Sequence, residues 1–133
     1  MTLVTWQPLE ANAWLVVPGA ALLQWIALPE LDGDGPGMFS QADPAVVHAT
    51  LSAAGWSDVV VRSVKLALRV GDSPVEAADR LADMGVGRAA LAAVPPDEQQ
   101  PALEAVHEAL APHAGADGVH LGAAVLLTTA SNP

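Results

Sequence analysis

The fold class predicted by this sequence is a small α/β layer, on three observations. Thr2–Trp6, Trp56–Val70 and Val119–Ala130 read as strands, and helices with capping signals lie between them. Of the 133 residues 52% are hydrophobic, enough for a core and too many for a disordered chain. The length fits one domain over residues 1–133, with about four to five helices.

Taken in order, Thr2–Trp6 is short, β-branched and aromatic, the composition of a strand. It begins almost at residue 1, which is unusual for the buried strand of a complete α/β domain. Asn12–Trp25 is apolar nearly all round and must be covered by other structure. Pro18-Gly19 interrupts it, so two short helices are expected, because proline removes a backbone donor. Leu28–Ala42 is rich in Gly, Pro and acids and reads as a loop with Met38-Phe39 at an apolar tip.

Asp43–Ala54 is a helix with Asp43 as cap, Pro44 at the first position and Gly55 after the last turn. Val46, Val47, Leu51 and Ala54 form its expected apolar face. Along Trp56–Val70, Val64, Leu66, Leu68 and Val70 alternate with Ser63, Lys65, Ala67 and Arg69, the pattern of a half-exposed strand. Val59-Val60-Val61 breaks that alternation, so a bulge or a more buried start is expected.

Ser73-Pro74-Val75-Glu76 is a capping box opening a helix that ends near Gly85, and Arg88–Val94 adds a further turn or two. After Pro95-Pro96, Asp97–Ala111 is the next helix, with Leu103, Val106 and Leu110 on its apolar side. A turn at Ala114–Gly118 leads into Val119–Ala130, whose near-continuous apolar run implies burial on both faces.

Charge narrows the function classes. Fifteen acidic residues against five basic ones give a net charge of -10. Five cations are too few for a phosphate-binding face, so neither nucleic acid nor an anionic membrane is an expected partner. With no cysteine, disulfides and thiolate chemistry are excluded. The first ten residues lack the pattern of a secretory signal and no run is long enough to span a membrane, so the cytoplasm is the expected location.

Chemistry-bearing motifs are few. Neither glycine-rich nucleotide loop is present; Gly33, Gly35 and Gly37 stand among acids with no strand before and no helix directly after. Asp32 and Asp34 share that loop, where solvent screens their interaction. His48, His107, His113 and His120 have no helical i, i+4 spacing, so no metal site is assigned. His120 is expected to be exposed at the start of the last strand. No nucleophile elbow exists, and no catalytic residue is assigned.

Three stretches carry a resemblance. LVTWQPLEANAW (Leu3–Trp14), GMFSQADPAVVHATLSAAGWSDVV (Gly37–Val60) and LAPHAGADGVHLGAAVLLTTA (Leu110–Ala130) cover most of the chain. In order and spacing they resemble the C-terminal, substrate-side part of bacterial class I S-adenosylmethionine (SAM)-dependent methyltransferases of the small-molecule type. The resemblance implies a partial Rossmann-like sheet. Its three strands would correspond to strands five, six and seven of the family, in the order 5-7-6 with the last antiparallel and central.

The family's SAM site lies in the preceding half, in an acidic-x-Gly-x-Gly-x-Gly loop and two further acidic positions. None of these is present here, so the resemblance implies no SAM binding by this chain alone, and SAM only when a cofactor-binding half completes it. Trp6, Asn12, Trp14 and Phe39 fall on matching motif positions and are carried over as substrate-lining. His48 joins them as a candidate that requires a pocket beside it. Packing competes as the role of Trp6 and Trp14.

Three functions follow as expectations. The first is part of a small-molecule methyltransferase that is not catalytic without a SAM-binding half. The second is a stand-alone binding or assembly protein, a homodimer through its uncovered strand edge. The third is a small-molecule enzyme of different chemistry reusing the old substrate pocket.

Overall fold

The computed structural model describes residues 1–27 and 36–132. Most of the expected loop, with Asp32, Asp34, Gly33 and Gly35, lies outside them. The described elements are β1 (Thr2–Trp6), α1 (Ala13–Leu22), α2 (Pro44–Ala53), β2 (Ser57–Gly71), α3 (Pro74–Asp83), α4 (Gly85–Ala92), α5 (Gln99–Leu110), β3 (Ala114–Gly115) and β4 (Gly118–Ser131). Short 3-10 turns lie at Leu9–Ala11 and Ala111–His113.

The class is α/β, and the strand order is β1-β4-β2, with β3 beside β4. β1 pairs antiparallel with β4, from Thr2↔Thr129 to Trp6↔Val125. The last strand is therefore central. Its burial follows from that place: along β4 only Gly122, Thr129 and Ser131 are exposed. The two-residue β3 is an addition to the expected turn, paired Ala114↔Val119 and Gly115↔Gly118.

The chain divides into two compact units. The first comprises Met1–Asn12, Glu30–Leu66 and Ala123–Pro133, and the second Ala13–Pro29 and Ala67–Gly122.

In the first unit α2 starts and stops where its end residues dictate. The Asp43 carboxylate accepts from Ala45 N–H at 2.8 Å and Pro44 occupies the first turn. At the far end Gly55 takes φ +87°. Its N–H donates to Ser52 O and that of Trp56 to Leu51 O, both at 3.0 Å, so the last carbonyls are satisfied. The buried stripe is narrower than expected: Val47 is buried and Leu51 half-buried, while Val46 and Ala54 are exposed. Val47 and Leu51 are one turn apart and share a face; Val46 flanks it, and Ala54 is the cap residue past the last turn. Phe39 is also corrected, since it is buried at 7% exposure and not an exposed tip.

β2 changes phase. Ser57, Val59 and Val61 are half-buried at odd positions, then Val64 and Leu68 at even ones, with Arg62 and Ser63 both exposed between. This is the expected break in alternation, placed after Val61.

Among the described residues of this unit one buried side-chain group is unsatisfied. Thr128 faces Leu3 across the β1–β4 ladder, is fully buried, and its hydroxyl has no hydrogen-bond partner. A desolvated hydroxyl without a partner costs stability. Thr128→Val, of nearly the same shape, is expected to stabilise by about 1 kcal/mol and raise Tm by roughly 3 °C. A thermal melt that shows a loss instead would mean that the hydroxyl is satisfied in solution.

The second unit is helical packing around α5, which meets α1, α3 and α4. α1 runs unbroken through Pro18, where two helices are expected from sequence. Proline at the sixth position costs one ladder bond, but the helix is covered nearly all round, with only Val16 and Ala20 exposed. That burial offsets the missing bond. α3 opens with Ser73 Oγ accepting from Glu76 N–H at 3.2 Å. The Glu76 carboxylate reaches back to Asp72 N–H at 3.0 Å, one residue before the position a capping box uses. Ala102, Val106 and Leu110 are the buried face of α5, while Leu103 is only half-buried. His120, expected to be exposed, is half-buried, with Asp117 Oδ2 3.9 Å from Nε2.

Among the described residues no helix is long and apolar enough to cross a membrane.

Candidate functional site

Four of the five sequence-derived candidates belong to the first unit: Trp6, Asn12, Phe39 and His48. Trp14 belongs to the second, where it is buried on α1. The chain around the end of β1 is held by side chains bonded to backbone. Thr5 Oγ1 donates to Gln41 O at 3.0 Å, which ties β1 to the turn carrying Phe39. Gln7 donates from its backbone N–H to Ala124 O and from Nε2 to Val125 O, both at 2.9 Å.

Asn12 completes the arrangement. Its Nδ2 donates to Gln7 O at 3.0 Å and to Pro8 O at 3.1 Å, and its Oδ1 accepts from Ala124 N–H at 2.9 Å. The side chain is 0% exposed. Both of its amide protons are therefore committed to the turn after β1 and its oxygen to β4, so in this geometry Asn12 locks backbone. Trp6 is half-buried and Phe39 buried. His48 lies on the exposed side of α2, with Nδ1 3.5 Å from Ser52 Oγ, the outer limit of a hydrogen bond.

A concavity that the sequence reading did not find lies in the second unit, between α3 and α5. It is lined by Val75, Ala78 and Asp79 from α3 and by Gln100, Leu103, Glu104 and His107 from α5, and holds about 240 Å³. Its signal was in the sequence. Residues 100, 103, 104 and 107 recur at i, i+3, i+4 and i+7, one helical stripe, and 75, 78 and 79 form another. The stripe mixes polar and apolar residues, so it does not read as a core face.

Val75, Ala78 and Leu103 are the apolar residues of its lining, and Asp79, Glu104, Gln100 and His107 the polar ones. Gln100 Nε2 donates to Glu104 Oε1 at 3.3 Å. The groove is smaller than the roughly 300–1,000 Å³ typical of small-molecule sites. It holds no hydroxyl or thiol beside a base, so no nucleophilic chemistry is built there. Among the described residues no group of three His, Asp, Glu or Cys side chains is placed to hold a metal ion.

No protein-family model and no curated protein matches the chain.

Proposed function

We propose that this chain is the substrate side of a bacterial SAM-dependent small-molecule methyltransferase and does not transfer a methyl group alone. One observation carries the reading. The strand order β1-β4-β2, with the last strand central and antiparallel to β1, is the order 5-7-6 implied by the sequence resemblance. Trp6, Asn12 and Phe39 in this reading shape the wall that faces the acceptor, with Asn12 setting the path of the turn that follows Trp6.

SAM itself does not fit the residues present. A methyl donor of this kind needs a glycine turn after a strand, with backbone N–H groups at a helix start. After β1 come Gln7 and Pro8, and Pro8 has no N–H to offer. The donor would be held by another segment, paired along β1. TLVTW carries no charge and no proline to discourage such pairing, and its Val4 is 59% exposed.

That same exposure favours a second reading, a non-catalytic binding or assembly protein that is a homodimer through β1. Calorimetry with SAM, and light scattering on the same sample, separates the two. The expected result is no binding heat together with polydisperse, concentration-dependent association through an uncovered β1. A discrete dimer without SAM binding carries the second reading. A stable monomer counts against both, and SAM binding by the chain alone overturns the first.

A further inference from the structure

The chain has five cations for fifteen carboxylates, and three of the five lie on β2. Arg69 pairs with Asp72 and donates from Nε to Asp117 O at 2.8 Å. Arg80 pairs with Glu76, and Arg88 donates to Asp83 O at 2.6 Å. Arg62 and Lys65 form no ion pair or hydrogen bond among the described residues. In a chain of net charge -10, two exposed cations three positions apart on one strand, without an ion pair among the described residues, are available to a carboxylate from outside.

The strand is built to present them. β2 stands at one end of the strand order, so one row of its N–H and C=O groups is not used by β4. Arg62 and Lys65 are both exposed along this stretch, on either side of the half-buried Val64. Val60 and Leu66 on the same strand are 44% and 41% exposed. All of these residues belong to the first unit.

We propose that the Val60–Leu66 edge of β2 receives an extended acidic segment of a partner protein by strand addition. Backbone groups of the added strand pair with the open row of β2, and carboxylates of that strand meet Arg62 and Lys65. A second copy of this chain is a poorer occupant, since Asp58 is the one acid along β2, so a second β2 offers a single carboxylate to two cations. Nucleic acid is excluded by the overall charge. The inference does not rest on the methyltransferase reading, which concerns β1 at the other end of the order.

The test uses two labelled peptides of about ten residues, one alternating Glu and Thr and one alternating Lys and Thr. Fluorescence anisotropy with the full chain is expected to show binding of the Glu peptide and none of the Lys peptide. Hydrogen exchange should gain protection over Val60–Leu66 and not over β1. Arg62→Glu together with Lys65→Glu is expected to weaken the Glu peptide roughly tenfold and to admit the Lys peptide. A Glu peptide N-methylated at alternate amides tests the backbone pairing on the unaltered protein and should not bind. No binding of the Glu peptide, equal binding of both peptides, unchanged binding after N-methylation, or protection elsewhere overturns the proposal. So does a concentration-dependent dimer that protects Val60–Leu66 without peptide.

Discussion

Asn12→Ala is expected to lower stability by about 3 kcal/mol and Tm by roughly 10 °C. The substitution removes three hydrogen bonds at a fully buried site. It leaves the Ala124 N–H without its acceptor and takes the side-chain donor from the Gln7 carbonyl, while Pro8 O keeps the Ala11 N–H at 3.0 Å. Each desolvated orphan costs about 1–3 kcal/mol, and the two are not additive because they share one cavity. Asn12→Asp separates the two halves of the effect. The carboxylate still accepts from Ala124 N–H but turns a second oxygen toward two carbonyls, so at neutral pH it is expected to do no better than alanine. Thermal unfolding followed by circular dichroism measures both. A Tm within about 2 °C of the parent for Asn12→Ala would mean that the turn after β1 is held by Gln7 and the ladder alone.

Gly118→Ala is expected to cost a similar amount, about 3 kcal/mol, through backbone geometry. Gly118 sits at φ +113°, a conformation that residues with a Cβ adopt only under strain. A Cβ there would lie 2.6 Å from Gly71 O and 2.9 Å from Arg69 Nε. The carbonyl belongs to the end of β2 and has little room to yield. Gly115, two residues before the β3–β4 turn closes, is the control. Its Cβ would meet nothing nearer than 3.7 Å. Gly115→Ala is therefore expected to change stability by less than about 1 kcal/mol. Equal melting temperatures for the two variants would remove the steric argument.

The local features were legible because their causes lie within a few residues. Asp43, Pro44 and Gly55 bracket α2 by capping, and Ser73, Pro74 and Glu76 open α3 in the same way. The apolar run of β4 announced burial on both faces. The break at Val59-Val60-Val61 announced the change of phase in β2.

What failed to show in the sequence depends on partners far along the chain. Pro18 reads as a break because the local cost of proline is visible and the cover over α1 is not. Phe39 reads as a loop tip because its neighbours are Gly and Ser, yet Thr5 bonds to Gln41 across 36 residues and draws that turn against β1. Asn12 reads as a polar wall residue, and only its bond to Ala124, 112 residues away, makes it a lock. The α3–α5 groove required two helices to be laid side by side before its two stripes met.

By itself, then, the sequence determined where helices start and stop, which strand is buried on both faces, and which chemistry is excluded by charge and the lack of cysteine. The tertiary structure decided which side chains are committed to backbone and which cations are without an ion pair among the described residues. Capping and periodicity act over one or two turns of chain, whereas hydrogen-bond satisfaction and burial are settled by whatever residue the fold brings alongside.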